Sequence, residues 1–405
     1  MNTIFRTGLC AGLVALALSA CSGWHGAAPA ATPEDDPVVL RFATVGDSRA
    51  DPLQPGQTAQ DVRWAQNTRA LARILREVND RQARLLVFNG DMIMGYGDAR
   101  VPAQLPATPQ AYMAADVAKF YTQYAYWRGM VATVMEAGTY IVPVPGNHET
   151  QCFRKINPSC PATRHGKNAT PANEQAWRDN MGDLILDVPR FTAIVGQAPS
   201  HFSTAHNPCP PGGPCTDGLT TDQTQLSYSF DVGDSHFAIL NTDAVGRDGQ
   251  APLQWLGADL AQARARGARQ MFVFGHRPAY TYRFQGADPH DHPGMDADPA
   301  MADAFWSLIE QHGATYFSGH QHIFNVMQPR GRAWQVLVGS GGSPFDAAPH
   351  PALATDRMYA YALVQVRRSG AVELEAIGFP DDFGPSRSLW RARLAVPFQV
   401  TSPPS

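Results

Sequence analysis

Five short apolar runs in this 405-residue chain each end in a glycine-led loop carrying Asp, Asn or His. Val38 to Val45 leads into Gly46-Asp47, Leu85 to Asn89 into Gly90-Asp91, and Tyr140 to Val144 into Gly146-Asn147-His148-Glu149. Gln270 to Phe274 leads into Gly275-His276, and Thr315 to Ser318 into Gly319-His320-Gln321-His322. Runs of this kind read as buried strands. Open α/β sheets place their sites at the carboxyl ends of such strands. A lone Gly-Asp is commonly a turn and a lone His commonly a hydrogen-bonded structural residue. Five such loops in one chain change that balance, because a structural account leaves many desolvated polar groups at strand ends unused.

The segments between the runs predict helices. Trp64, Thr68, Leu71, Leu75 and Val78 follow helical spacing over Thr58 to Asn79, and Tyr112 to Ala137 reads as one long helix or two. Tyr121, Tyr124, Tyr126 and Trp127 on that stretch read as packing. The order β-α-β-α-β calls for a sheet covered by helices. After a loop-rich insertion from Thr150 to Leu226, Ser227 to Val232 and His236 to Asn241 suggest paired antiparallel strands. Helices follow over Leu253 to Arg266 and about Ala302 to Gln311. The end of the chain reads as strands at Trp334 to Val338, Tyr359 to Arg367 and Ala371 to Phe379, the last two joined across Ser369-Gly370.

Asp47, Asp91, Asn147, His148, His276, His320 and His322 offer carboxylate oxygen, amide oxygen and imidazole nitrogen. That donor set suits Mn, Fe or Zn rather than a soft thiolate site. One ion, or a pair about 3.5 Å apart, polarises a phosphoryl oxygen and acidifies bound water.

Taken in order, these motifs resemble the calcineurin-like metallophosphoesterase superfamily, with a purple acid phosphatase-like architecture and a variant first motif. The Tyr228-Ser229-Phe230 strand and the Gln254-Trp255-Leu256 helix resemble segments of periplasmic members. The resemblance implies an α/β fold, a four-layer α/β/β/α sandwich of two mixed sheets, with the site at one edge. It implies that Asp91 bridges two metals, that Asn147, His276 and His320 complete the second metal, and that Asp47 and His322 bind the first. His148 matches the family's non-ligand histidine, which donates a proton to the leaving oxygen or stabilises charge on phosphate. Glu149 reads either as a partner that orients His148 or as a surface glutamate.

One position departs from the pattern. The first motif is normally Asp-x-His, and this chain has Asp47-Ser48-Arg49. Arginine has no lone pair to give a metal. In purple acid phosphatases, which also lack that histidine, a tyrosine three residues after the bridging aspartate is the substitute; here that residue is Met94. Tyr96 is the nearest alternative, at the wrong spacing. Arg49 then either holds a phosphate oxygen or pairs with a carboxylate such as Asp98, beside a first metal site that binds weakly or not at all. His290 and His292 read as part of a solvated Pro- and Asp-rich loop, with a cap over the substrate pocket or an extra metal site as the alternative. Gly339-Ser340-Gly341-Gly342 reads as a pocket lining or a turn, with Ser340 no nucleophile, since nothing there resembles a nucleophile elbow.

The remaining expectations concern setting. Residues 1–20 read as a signal peptide whose Leu18-Ser19-Ala20-Cys21 resembles the lipobox of bacterial lipoproteins, so Cys21 would carry lipid. Ser22 beside it favours the outer membrane, facing the periplasm. Residues 21–37 read as a tether, 38–397 as the phosphoesterase domain with its insertion at 150–226, and 398–405 as a tail. Cys152 and Cys160, and Cys209 and Cys215, form two local pairs, read as disulfides rather than a four-thiolate zinc site. A net charge of -4 with 17% charged residues gives no electrostatic footprint for nucleic acid. The expected substrate is a small or exported phosphate ester, mono- or diester; the alternative is a catalytically silent scaffold that keeps the fold.

Overall fold

The computed structural model describes residues 36–50, 65–101, 103–104, 106–155, 157–161, 166–284, 287 and 292–394. The signal-like segment with Cys21, most of the tether, Thr58 to Trp64, His290 and the 398–405 tail lie outside the described residues. The strands in chain order are β1 (Val38–Val45), β2 (Leu85–Phe88), β3 (Tyr140–Pro143), β4 (Gln151–Phe153), β5 (Lys167–Ala169), β6 (Tyr228–Val232), β7 (Ser235–Leu240) and β8 (Asp243–Ala244). They continue as β9 (Arg247–Asp248), β10 (Gln270–Gly275), β11 (Thr315–Ser318), β12 (Phe324–Met327), β13 (Gln335–Val338), β14 (Met358–Arg367), β15 (Val372–Pro380) and β16 (Arg387–Leu394).

Twelve of these form two six-stranded mixed sheets. One runs β16-β15-β14-β1-β2-β3 and the other β12-β13-β11-β10-β7-β6. In the first, β1, β2 and β3 are mutually parallel and β14 to β16 antiparallel. In the second, β7, β10, β11 and β13 are parallel, with antiparallel edges β6 and β12. The parallel strands of each sheet therefore end on the same side, and all five loops follow one of them.

The sheets meet face to face through aromatic packing. Phe42 on β1 presents its edge to Phe237, Phe272, Phe274 and Phe317 at centroid separations of 4.9–6.2 Å. Truncating such a fully buried ring to alanine costs about 3–5 kcal/mol. Outside the first sheet, the helix Thr68–Asp80 buries Leu71, Ile74, Leu75 and Val78, and Asp116–Glu136 buries Phe120, Tyr124 and Trp127. Outside the second, helices Leu253–Ala265 and Pro299–His312 cover a separate apolar cluster built on Leu256, Leu260, Phe305 and Trp306. Helix, sheet, sheet and helix make the four-layer sandwich that the resemblance implied.

The fold settles one local expectation, departs from another and adds a strand. The Tyr112 to Ala137 stretch is two helices, Pro109–Ala114 and Asp116–Glu136, broken where Ala115 turns extended (φ -68°, ψ 145°). The insertion is less loop-rich than expected: Pro171–Met181 and Val188–Val195 are helical, capped by Thr170 and Asp187, and place Trp177 and Phe191 in the main apolar core. Edge strand β16 was not foreseen, because its mostly exposed Arg- and Ser-containing sequence lacks apolar alternation. Both expected disulfides, Cys152–Cys160 and Cys209–Cys215, are present.

Candidate metal centre

The strand-end loops interlock through their backbones before any side chain is considered. The Asp47 amide donates to Gly90 O (2.9 Å), Ser48 to Asp91 O (3.1 Å), and Gly319 to His276 O (2.9 Å). Asp47, Asp91 and His320 all adopt left-handed φ (61°, 53° and 74°). This conformation is uncommon for non-glycine residues and concentrates at functional sites. Gly90 is obligatory: at φ +83° a Cβ there would lie 2.6 Å from His276 Nδ1 and 2.7 Å from Gly146 Cα. The turn after β3 is equally tight, since a Cβ on Gly146 would meet Asp91 Oδ1 at 2.5 Å.

Four donor atoms converge at one point. Asn147 Oδ1 is 2.8 Å from His276 Nε2 and 2.9 Å from His320 Nδ1; the two nitrogens are 3.2 Å apart, and His276 Nε2 is 3.1 Å from Asp91 Oδ1. His276 Nδ1 donates to Asn89 O (2.7 Å), which leaves Nε2 as the lone pair of a neutral ring. Such spacings match adjacent ligands on an ion bound at roughly 2.0–2.2 Å. The residues fit a divalent metal here. Without one, burial disfavours a charged His276, yet the carboxylates of Asp91 and Asp47 outweigh it and lift the imidazole to about 10.

The neighbouring position, which the resemblance assigns to a first metal, is built differently. Asp47 Oδ1 and His322 Nε2 face each other at 3.7 Å. His322 Nδ1 donates to Pro344 O (2.7 Å), so Nε2 carries the lone pair. The Arg49 guanidinium lies against these groups, with Nη2 3.3 Å from His322 Nε2, Nε 3.5 Å from Asp91 Oδ2 and Nη1 3.8 Å from Met94 Sδ. Its carboxylate partner is Asp91, not Asp98, which pairs with Arg100 instead. Buried, cationic and without a lone pair, Arg49 does not fit as a ligand for a metal at this position.

Three residues frame the centre. His148 stands 3.7 Å from Asp91 Oδ2 through Nε2, while its Nδ1 donates to Met94 O. Burial and the Arg49 charge hold it well below the usual histidine range, so it is neutral with the Nε2 lone pair turned to the site. Tyr96, again at left-handed φ, lies over His148 with the rings tilted by 37° and 3.6 Å between centroids. Its hydroxyl accepts from Asn147 Nδ2, which turns Oδ1 toward the ligand cluster. Tyr96 thus positions a ligand residue. Glu149 is neither a partner of the His148 ring nor a surface residue. Fully buried, it accepts from the amides of Asp91, Met92, Ile93 and Gly146 at 2.8–3.2 Å and ties two strand-end loops together. Burial and Asp91 push its carboxyl up to about 7, against the pull of those donors.

Further side chains arrive at the centre, the first of them a histidine that the sequence reading assigned to a solvated loop. His292 is not in a solvated loop: its ring lies 5.3 Å from His320 and 4.6 Å from His322, and its Nδ1 is 3.0 Å from Asp346 Oδ1. Arg277 pairs with Asp243 (2.7 Å) and places Nη1 3.0 Å from His320 Nε2 and 2.9 Å from Pro293 O. A metal-bound His320 would carry its proton on Nε2, so Arg277 Nη1 would keep Pro293 O alone while Nε stays on Asp243. Arg277 had a usable signal, a cation immediately after a strand-end histidine; Asp346 had none. The Gly339–Gly342 run packs against the first loop, Gly341 donating to Gly46 O (2.9 Å), and Ser340 is buried away from any base.

Two mixed sheets with a buried Asp, Asn and His cluster at their parallel strand ends define a metal-centre α/β protein of the phosphoesterase type. The chain belongs to the calcineurin-like phosphoesterase family, whose pattern matches residues 40–324. Solved structures similar to it include GAP50, the anchor in the inner membrane complex of Plasmodium, at 12% identity and TM-score 0.47 over 89% of this chain and 90% of that one. A dimetal phosphatase from Danio rerio is also 12% identical, with TM-score 0.47 over 87% and 99%. A purple acid phosphatase from yellow lupin (Lupinus luteus) is 12% identical, with TM-score 0.45 over 84% of this chain and 51% of that one. Among curated proteins, none matches.

Proposed function

We propose that this protein is a metal-dependent hydrolase of phosphate mono- or diesters. The observation that carries the reading is the convergence of Asp91 Oδ1, Asn147 Oδ1, His276 Nε2 and His320 Nδ1, with separations of 2.8–3.2 Å, from four strand-end loops. Held there, a Mn, Fe or Zn ion supplies Lewis acidity and an acidified water. The chain's own groups do the rest. Tyr96 fixes the Asn147 amide, Arg49 presents a guanidinium to an anionic ester, and His148 offers Nε2 to the substrate while Met94 O anchors the other nitrogen. The charge of a bound phosphate favours a proton on that Nε2, the state needed to hydrogen-bond a leaving oxygen.

The test is elemental analysis beside hydrolysis of an aryl phosphomonoester and an aryl phosphodiester, with Mn, Fe or Zn added back. Retained metal with turnover supports the reading, and the preferred ester names the subclass. Arg49 also favours a second reading, a scaffold that has kept the fold and lost turnover; no metal and no hydrolysis would move the assignment there.

We further infer that it acts in the cell envelope, lipid-anchored on Cys21 at the outer membrane facing the periplasm, on small or exported phosphate esters, with no role on nucleic acid. The apolar leader, the small residues before Cys21 and the two disulfides support this. Labelling with a fatty-acid analogue checks it: wild type takes up label and Cys21→Ser does not.

A further inference from the structure

We propose that the Arg49 guanidinium occupies the position of the first metal ion, so that the protein works with a single divalent ion at Asp91, Asn147, His276 and His320. The inference rests on the metal-site reading above and deepens it.

Two of the lone pairs that would hold a metal at that position, on His322 and Asp91, face Arg49 instead. With Nδ1 committed to Pro344 O, the inward lone pair of His322 is on Nε2, and Arg49 Nη2 sits 3.3 Å from it. Asp91 divides its carboxylate in the same way: Oδ1 faces the four-donor cluster through His276 (3.1 Å), and Oδ2 faces Arg49 Nε (3.5 Å). The carboxylate therefore bridges one metal position and one guanidinium. A second divalent ion in reach of His322 Nε2 and Asp91 Oδ2 would have to displace a group that never loses its charge.

The arginine is also held in place. Its side chain is 5% exposed, Nη1 rests on Met94 Sδ (3.8 Å), and Arg49 bridges Gln66 through the backbone. The next amide, Ala50, donates to Ala65 O (3.0 Å). Asp47 keeps a task without being a metal ligand. Both of its oxygens accept from the His320 amide (3.1 and 3.0 Å), so it fixes the loop that supplies His320. The site retains two positive centres for a phosphate ester, one a metal and one a planar donor fork suited to bidentate phosphate contact.

The experiment is metal stoichiometry on the purified full chain, equilibrated with Mn(II) and read by elemental analysis and by electron paramagnetic resonance. Wild type is expected to hold about one ion per chain with the six-line signal of an isolated Mn(II). Arg49→His, which restores a nitrogen ligand and removes the cation, is expected to hold about two and to show an exchange-coupled spectrum. Two ions or a coupled signal in wild type overturn the inference and leave the hydrolase reading standing. A folded Arg49→His that still holds one ion overturns the claim that Arg49 excludes the other. No retained ion in either protein overturns both the inference and the hydrolase reading. Wild-type stoichiometry alone is decisive if the variant fails to fold.

Discussion

Two buried Asp/His clusters in this molecule are built from the same residue types and ask opposite things of their surroundings. In the first, at β6 and β7, every donor meets an acceptor. His236 contacts Asp231 Oδ1 through Nδ1 (2.6 Å) and Asp259 Oδ2 through Nε2 (2.9 Å). Asp259 Oδ1 accepts from Ser229 (2.8 Å) and His206 (2.9 Å), and Arg266 closes the network on Asp231. Nothing is missing there. At the strand ends, by contrast, an amide oxygen, a carboxylate oxygen and two imidazole nitrogens point at one another, and a proton on His276 stands in for a cation. Composition does not separate a structural cluster from a binding cluster; the balance of donors and acceptors does.

The largest effect that can break this contrast is Asp91→Asn. It removes the charge shared by the metal position and Arg49, so kcat/KM is expected to fall by on the order of 10³-fold. Its melting temperature should also stop responding to chelator. Wild type should lose stability on chelation by about 4 kcal/mol if the ion is present at 1,000 times its Kd. Asp259→Asn is the counterpart. It leaves the charged His236 with a broken clamp and is expected to destabilise by about 3 kcal/mol, the lower end for breaking a buried pair. Activity per folded chain should hold and the chelator response remain. If Asp259→Asn abolished metal binding, or Asp91→Asn kept the chelator response, the two clusters would not be different in kind.

How far this was legible in the sequence follows from which contacts are local. Asp47, Asp91, Asn147, His148, His276, His320 and His322 each sit directly after an apolar strand, so strand recognition alone brought them to one sheet edge. The sandwich came from the resemblance those motifs carry; the element order alone called for a sheet covered by helices. What depended on sheet order was not visible: Arg277 reaches His320 because β10 and β11 are neighbours, and Asp346 reaches His322 after the chain has passed through β12 and β13. The Glu149 ties to Asp91, Met92 and Ile93 likewise join loops after two adjacent strands. Arg49 was recognised as a departure from the Asp-x-His motif, but its partner Asp91 follows the neighbouring strand β2, 42 positions on.

Tyr96 offers a smaller and more local test. Tyr96→Phe keeps the ring on His148 and removes only the hydroxyl that holds the Asn147 amide. Metal affinity is expected to drop about 10- to 100-fold, the range for outer contacts to a ligand. The melting temperature without metal should change little, which a merely structural role would not produce. Phe153 donates to Tyr96 O (3.1 Å) beside the Cys152–Cys160 disulfide. Reducing that bridge should therefore shift affinity in the same direction; unaltered affinity in both cases would remove Tyr96 from the site's machinery.

The smallest expected effect is a pH dependence that belongs to the self-satisfied cluster alone. Burial disfavours charge on His236, but Asp231 and Asp259 outweigh it and raise its pKa. Burial likewise opposes charge on the two carboxylates. His206, His236 and Ser229 hold Asp259 well below the usual range, while His236 and Arg266 lower Asp231. A raised histidine contributes stability that is full below its unfolded pKa of about 6.5 and is lost as pH rises through the folded value. Depressed carboxylates contribute stability present above about 3.9 and lost as pH falls through their folded values. The cluster's contribution is therefore greatest between about pH 4 and 6.5 and declines on both sides. With metal saturating the other site, the melting-temperature gap between wild type and His236→Gln should be widest in that window and narrow toward alkaline pH. A gap independent of pH would mean that His236 is held by packing and not by its charge.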